Sequence, residues 1–278
     1  MDLYLNEKIV VITGGAAGIG KGIASSFVKE GAKVILLDTD KQGLEKTKYE
    51  FNTNGYEVDT EVVDVCNFDI FAQCVYGIYE KYGSLDIFVN NAGGGDSMPL
   101  MQSTVKDFQY VMDWNFTSLF VGTQAAANCM KRCGGGVILN GSSFNAILPT
   151  AGKSVYSASK RAILTLTAGF AAELAKDNIR VVGYIPGFIV AGHAWEKLAT
   201  MGKEKLEKEI ICHRLGQVED VGDVVAFLAS DRASYINGTF VEITGGKYAV
   251  QNPNWAYEEF IKPEDLKKEI ELGGNNND

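Results

Sequence analysis

A tyrosine and a lysine four residues apart, Tyr156 and Lys160, are a pair that could move a proton. They begin an alanine-rich stretch that we predict to be helical, and residues at i and i+4 share one helix face. A free phenol has a pKa near ~10, too high for an efficient base around neutrality, and a fixed cation favours its phenolate. The pair suits proton exchange with an alcohol or ketone oxygen. Alone, the spacing is also typical of a solvated helix face.

A glycine-rich loop at residues 13–20 follows an apolar strand predicted over residues 8–13 and leads into a helix. Glycines at such a turn let a diphosphate approach the backbone, and unpaired N–H groups at the helix N-terminus attract its charge. Simple turns, S-adenosylmethionine sites and flavin sites use similar loops. The residues of this loop that we expect to contact a dinucleotide are Gly14, Gly18, Ile19 and Gly20.

An aspartate, Asp38, ends the next predicted strand, eighteen residues after Gly20. This is close to the spacing of a carboxylate that accepts hydrogen bonds from an adenosine ribose. The same charge would repel a 2′-phosphate, and Ala16 and Ala17 supply no cation in the loop. The sequence therefore favours NAD(H) over NADP(H). The alternative is that Asp38 is only a turn residue.

Apolar, β-branched segments continue along the chain and alternate with helical patterns. Strands that are apolar throughout and separated by helices predict a parallel sheet covered on both faces. We therefore expect an α/β fold, a doubly wound (Rossmann-type) parallel sheet of about seven strands, within one domain at residues 1–246. The later strands are predicted at residues 34–37, 58–63, 87–90, 137–140, 180–185 and 240–243.

Composition and charge exclude several classes of protein. The 278 residues include 26 Lys and Arg and 35 Asp and Glu, which gives a net charge of −9. The sequence contains no basic run, and both features argue against a nucleic-acid partner. No secretion signal or membrane span is recognisable, so we expect a cytoplasmic protein without a membrane partner. The five cysteines are too sparse for a disulfide framework, and with two histidines we expect no metal site.

Several motifs together resemble the short-chain dehydrogenase/reductase family over about residues 5–250. They are Thr13-Gly-x-x-x-Gly-Ile-Gly20, Asn90-Asn-Ala-Gly93, Asn115, Ser143, Tyr156-x-x-x-Lys160 and Pro186-Gly187. The resemblance implies an enzyme that transfers hydride between NAD(H) and the carbon of a small-molecule secondary alcohol or ketone.

The resemblance also implies four catalytic roles. Tyr156 would be the general acid/base, and Lys160 would lower its pKa and bind the nicotinamide ribose. Ser143 would donate a hydrogen bond to the substrate oxygen, with Ser142 as a less favoured substitute. Asn115 would hold a water that links the lysine to solvent, its alternative role being a polar side chain bonded to backbone.

Further cofactor contacts follow from the same resemblance. Asp64 and Val65 would contact the adenine, and Asn91, Ala92 and Gly93 would form the wall beneath the cofactor. The nicotinamide would lie against Pro186 and Gly187. Members of the family commonly carry a threonine five residues after that proline, where this chain has Ala191. We expect backbone groups around Ile189 to hold the carboxamide instead.

A lid over the substrate is implied for about residues 188–213, above a largely apolar pocket. The Gly93–Gly95 run could give the neighbouring loop freedom to close. The residues that we expect around the substrate are Ser143, Phe144, Asn145, Phe188, Val190, His193 and Trp195.

Residues 247–278 extend beyond the predicted domain, and the aromatic Trp255, Tyr257 and Phe260 predict that they dock on the body or on a neighbouring subunit. The resemblance implies a homotetramer or a homodimer. Two alternative functions remain open. One is a 3-oxoacyl thioester reductase, and the other is a catalytically silent dinucleotide sensor or scaffold.

Overall fold

Seven parallel strands form one sheet in the order β3-β2-β1-β4-β5-β6-β7. The computed structural model describes residues 2–95, 97–191 and 202–250. All five residues of β1 are buried, as expected for a strand with both faces covered. This architecture confirms the predicted doubly wound sheet. The strands are β1 (Ile9–Thr13), β2 (Lys33–Asp38), β3 (Val58–Val62), β4 (Ile87–Asn90), β5 (Gly136–Gly141), β6 (Ile179–Pro186) and β7 (Phe240–Ile243).

Helices cover both faces of the sheet and leave an apolar core on each side. Successive residues of β1 point to opposite faces, so that Val10 packs on the side of Phe27 and Val11 packs on the side of Phe71 and Phe88. The described helices are α1 (Gly18–Lys29), α2 (Lys41–Thr53), α3 (Phe68–Tyr82), α4 (Val105–Met112), α5 (Ser118–Cys133), α6 (Ser154–Leu174), α7 (Lys203–Lys208) and α8 (Val218–Ala229).

The helical pattern of the sequence over residues 111–130 predicts one continuous helix, and the structure interrupts it. A π-helical turn at Asp113–Thr117 separates α4 from α5. Such turns widen the helix by one residue and are frequent at functional sites. Periodicity did not reveal this turn, because the apolar pattern continues through it.

The strand order reverses between β1 and β4, which are neighbours in the sheet. Ligands of open α/β sheets bind at such a switch point, outside the carboxyl ends of the strands. The loops that follow β1, β4, β5 and β6 therefore define where a site should form. Within the described parts of the chain, the helices are too short or too polar to cross a membrane.

Candidate active site

The glycine loop makes a tight turn between β1 and α1. Gly14 and Gly18 have positive φ angles of 69° and 60°, and a Cβ at Gly20 would overlap the carbonyl oxygen of Gly14. Helix α1 begins without a side-chain cap at Ala17 and has no acidic residue in its first turn. Its first N–H groups are thus available to an anion, an arrangement that fits a diphosphate.

Asp38 lies beside the glycine loop at the end of β2. Its Oδ2 accepts a hydrogen bond from the backbone N–H of Ala16 at 3.0 Å, and its Oδ1 accepts one from Asp40 at 3.1 Å. Residues twenty-two positions apart in sequence are therefore adjacent in space. The carboxylate is placed where a ribose bound beyond the loop could reach it.

The loop after β4 is bonded to the end of β1. The hydroxyl oxygen of Thr13 accepts hydrogen bonds from the backbone N–H groups of Asn91 and Ala92 at 2.9 and 3.0 Å. The side chain of Asn91 donates to the carbonyl oxygen of Thr13 at 3.1 Å and accepts from the hydroxyl of Tyr184 at 3.2 Å. These bonds hold the two strand ends at a constant separation.

Asn115, in the π-helical turn, is 1% exposed and is bonded to backbone. Its amide nitrogen donates to the carbonyl oxygens of Gly94 and Val111 at 2.7 and 2.8 Å, and its oxygen accepts from the N–H of Gly94 at 3.0 Å. The side chain therefore holds the loop after β4 against α4 and the π-helical turn. The water-holding role implied by the resemblance stays a prediction.

The glycine run after β4 is required for close packing. A Cβ at Gly93 would lie 2.5 Å from Asn115 Oδ1 and 3.0 Å from Lys160 Nζ, and a Cβ at Gly94 would lie 2.6 Å from Trp114. Side chains at these positions would displace the groups that they face. Close packing therefore explains why glycines occupy these positions, without any need for loop closure.

Ser143, Tyr156 and Lys160 come together where β5 ends and α6 begins. The hydroxyl of Ser143 lies close enough to the phenol of Tyr156 to lower its pKa. Lys160 is 4% exposed, and its Nζ donates to the carbonyl oxygen of Gly141 at 3.0 Å. The hydroxyl of Ser142 instead donates to the backbone oxygen of Lys160 at 2.8 Å. The geometry therefore favours Ser143 over Ser142 as the serine beside the phenol.

Burial dominates the ionisation of this cluster. Desolvation raises the pKa of Tyr156 above its usual range, and the hydroxyl of Ser143 offsets this only in part. Desolvation also lowers the pKa of Lys160 to about 8. Lys160 is not among the causes of the Tyr156 shift, so the lowering of the Tyr156 pKa by Lys160 stays a prediction. For each group, the hydration that its charged form loses on burial costs more free energy than the interactions with neighbouring groups supply.

A cavity of about 290 Å³ joins these side chains to the loops after β4 and β6. Predicted site residues that line it are Ile19, Asn91, Gly93, Ser143, Phe144, Asn145, Tyr156, Lys160, Pro186, Gly187, Phe188 and Ile189. Predicted cofactor residues outside its lining are Gly14, Gly18, Gly20, Asp38, Asp64, Val65 and Ala92. Those residues lie around the ends of β1 to β4, so the predicted set extends from the cavity along the edge of the sheet.

The structure places only some of the predicted substrate residues at the cavity. Phe144, Asn145 and Phe188 line the cavity, whereas Val190 does not and packs against the apolar cluster around Leu206. His193 and Trp195 lie outside the described residues. Sequence reasoning also missed Lys153, which lines the cavity three residues before the tyrosine. A cation one helical turn from a candidate catalytic residue was the available signal.

The first residues of the predicted extension pack on the wall of this cavity. The buried Lys247 forms an ion pair with the exposed Glu209, and its Nζ lies 4.8 Å from the ring centroid of Tyr248. The ring of Tyr248 is 5.7 Å from that of Phe144. Residues 251–278 lie outside the described residues, so docking of the whole extension stays a prediction.

The comparison with known families agrees with this geometry. A family model described as enoyl-(acyl carrier protein) reductase matches residues 14–247. The chain belongs to the short-chain dehydrogenase/reductase family. Membership makes it an oxidoreductase, and the matched residues extend from the glycine loop to Lys247.

Relatives within the short-chain dehydrogenase/reductase family carry different names. The chain is 36% identical over 244 residues to a 3-oxoacyl-(acyl-carrier-protein) reductase of Thermotoga maritima, covering 88% of this chain and 99% of that protein. It is 34% identical over 249 residues to a 3alpha-hydroxysteroid dehydrogenase of Mediterraneibacter gnavus, covering 88% and 98%. A 7 alpha-hydroxysteroid dehydrogenase solved with NADH and 7-oxo glycochenodeoxycholic acid matches at TM-score 0.83 and 32% identity, covering 88% and 96%. These names leave the substrate of this chain open.

Proposed function

We propose that the protein is an NAD(H)-dependent oxidoreductase that interconverts a secondary alcohol and a ketone. The observation that carries the proposal is the convergence of Ser143, Tyr156 and Lys160 on one cavity, beside the turn at Pro186 and Gly187. A phenol and a hydroxyl that line the same cavity can both reach one substrate oxygen. That is the arrangement needed to exchange a proton there while polarising the bond.

The reducing direction uses the proton that burial keeps on Tyr156. Because its pKa is raised, the phenol is protonated at neutral pH and can donate to the carbonyl oxygen as charge develops on it. Ser143 donates a second hydrogen bond to the same oxygen. In the oxidising direction the phenolate must form first, and the ammonium of Lys160, 5.9 Å from the ring centroid, favours that charge. NAD(H), when bound, supplies or accepts the hydride.

The residues that would hold the cofactor fit a dinucleotide. Backbone N–H groups at the start of α1 would bind the diphosphate, and Asp38 would accept hydrogen bonds from the ribose and exclude a 2′-phosphate. Ile189 pairs with Gly216 in an isolated parallel bridge whose hydrogen bonds are made by Phe188 and Val190. The N–H and C=O groups of Ile189 itself make no hydrogen bond to the described residues. These two groups would hold the carboxamide in place of a threonine at Ala191.

A spectroscopic screen tests the proposal. Purified protein is offered ketones with NADH or NADPH and alcohols with NAD or NADP, and the absorbance of the reduced nicotinamide is followed. We expect turnover of secondary alcohols or ketones with a preference for NAD(H). Absence of hydride transfer across a broad panel would contradict the proposal and favour a silent dinucleotide sensor.

The second candidate is reduction of a 3-oxoacyl thioester, and the printed name of the Thermotoga maritima relative supports it. An acidic carrier protein would need a basic surface beside the cavity. Helix α7 instead alternates lysines with glutamates at Lys203–Lys208. Including a 3-oxoacyl thioester in the same screen separates the two candidates. The second candidate requires a higher kcat/KM for the thioester than for simple ketones.

We also propose that copies of this chain associate into a homodimer or a homotetramer. Helix α4 has no buried residue, and it exposes Val105, Phe108 and Tyr110. Met101, in the turn before it, is 97% exposed. Large apolar side chains gathered on one element are typical of an interface, because monomers rarely expose extended apolar patches.

A further inference from the structure

A second lysine lines the catalytic cavity and has no role in the chemistry above. Lys153 is the residue before α6, and its half-buried side chain lines the cavity together with Lys160. Its Nζ donates to the carbonyl oxygen of Gly95 at 3.0 Å and lies 5.9 Å from the ring centroid of Tyr156. An ammonium has three donors, so two remain. No carboxylate among the described residues pairs with it.

The cavity is positively charged although the protein is acidic. Its described lining includes two lysines and neither an aspartate nor a glutamate, in a chain of net charge −9. Helix α6 begins at this position with no acidic residue in its first turn, so the positive end of its dipole adds to the same potential. A cavity lined by one sign of charge concentrates ligands of the opposite sign.

Asn145 supplies a second, independent observation. It is 4% exposed and lines the cavity. Its Oδ1 accepts a hydrogen bond from the hydroxyl of Thr150 at 2.9 Å, whereas its Nδ2 donates to no described residue. The backbone N–H of Lys153 donates to the carbonyl oxygen of Thr150 at 2.9 Å, so one short segment positions both side chains. This nitrogen is not fully enclosed by the described residues, so it is open to the cavity and can donate to a ligand oxygen.

We propose that Lys153 and Asn145 bind a carboxylate of the substrate, and that the enzyme therefore acts on short hydroxy acids and oxo acids. A carboxylate has one charge and two oxygens, which match one ammonium and one amide donor. A volume of about 290 Å³ favours a short carbon chain between the carboxylate and the reacting carbon. This inference rests on the proposed function and narrows its substrate.

Matched acids and esters test the site. Levulinate and acetoacetate are compared with their methyl esters, using NADH and the wild-type enzyme. A hydrogen-bonded charge pair predicts a kcat/KM for the acids higher by about tenfold or more. The variant Lys153→Met should bring the acid-to-ester ratio of kcat/KM close to one, mainly through a higher KM for the acids. Lys153→Arg should keep most of the preference, and the exposed Lys29→Met is the matched control.

A binding measurement distinguishes failure of the carboxylate site from failure of the proposed oxidoreductase function. Calorimetric titration of the enzyme with pentanoate or pentanamide, with and without NADH, should show tighter binding of pentanoate that Lys153→Met removes. Such binding without any ketone reduction would contradict the proposed function and support the carboxylate site. Ester reduction equal to acid reduction would overturn the inference and leave the proposed function standing. The inference would also be overturned if Lys153→Met lowered kcat/KM equally for acids and esters, or if pentanoate and pentanamide bound equally tightly.

Discussion

The Nζ of Lys160 donates its hydrogen bond to the carbonyl oxygen of Gly141, 3.0 Å away, and lies 5.9 Å from the centre of the Tyr156 ring. The helical spacing of the two residues places them on one face of α6, yet the direct partner of the ammonium is the backbone at the end of β5. The phenol lies beside Ser143, and burial raises its pKa so that it stays protonated. The resting site is therefore arranged as a proton donor.

Removing the phenolic hydroxyl should abolish catalysis and spare cofactor binding. For Tyr156→Phe we expect kcat to fall by roughly 10²- to 10⁴-fold, since a positioned acid contributes on that order. Fluorescence titration with NADH should give an unchanged Kd. Tyr49→Phe, at a side chain that is 72% exposed, serves as the control. Substantial remaining turnover would show that another group transfers the proton.

Burial of Lys160 predicts a pH-dependent stability. Its pKa is about 8 in the folded chain against a usual 10.5, so between these values the unfolded chain binds a proton that the folded chain does not. The free energy of unfolding should therefore rise with pH in this window, by up to about 1.4 kcal/mol per unit from this group. Urea unfolding across the window should show the rise in the wild type and in Lys29→Met, and a smaller one in Lys160→Met. Parallel curves would refute the burial of a titrating lysine.

Asp38 should control the choice of nicotinamide. The double variant Asp38→Ser with Thr39→Arg replaces a repulsive charge by an attractive one, and we expect the NADPH to NADH ratio of kcat/KM to rise roughly tenfold or more. Thr39→Arg alone should change the ratio less. If the unmodified enzyme already prefers NADPH, the assignment of the carboxylate to the ribose is wrong.

Close packing at Gly93 should make a methyl group there costly. The residue has φ 153°, and a Cβ would lie 2.5 Å from Asn115 Oδ1. We expect Gly93→Ala to displace Asn115, to lower activity by about tenfold or more, and to destabilise the fold by about 1–3 kcal/mol. Gly77→Ala, inside α3 with nothing near its Cβ, should instead stabilise by about 0.5–1 kcal/mol. Equal thermal shifts in the two variants would contradict the packing argument.

The exposed face of α4 should mediate self-association. We expect light scattering to give the mass of a dimer or a tetramer for the wild-type protein. Val105→Glu, at a position 83% exposed, should shift the mass toward smaller species, because it introduces a charge into an apolar interface. Tyr235→Glu, also fully exposed but distant in sequence, provides the comparison. An unchanged mass in both variants would exclude α4 from the interface.

The strands and the glycine loop were predictable because their signals are local. Apolar segments such as Ile87–Asn90 are recognisable from residue type, and a parallel sheet follows from their alternation with helices. The π-helical turn at Asp113–Thr117 was missed because hydrogen bonds from Asn115 to the loop after β4 stabilise it. Those partners are about twenty residues away, beyond any local pattern.

Residue types and spacing were sufficient to identify the fold class and the tyrosine, lysine and serine of the site, because the motifs that carry them are short. Only folding decided how those groups ionise and what else joins them. Desolvation depends on everything packed around a side chain, so the raised pKa of Tyr156 and the lowered pKa of Lys160 could not follow from a four-residue spacing. Likewise, Asn145 came to line the same cavity as Lys153 and Tyr156 only because the carboxyl end of β5 meets the start of α6 there.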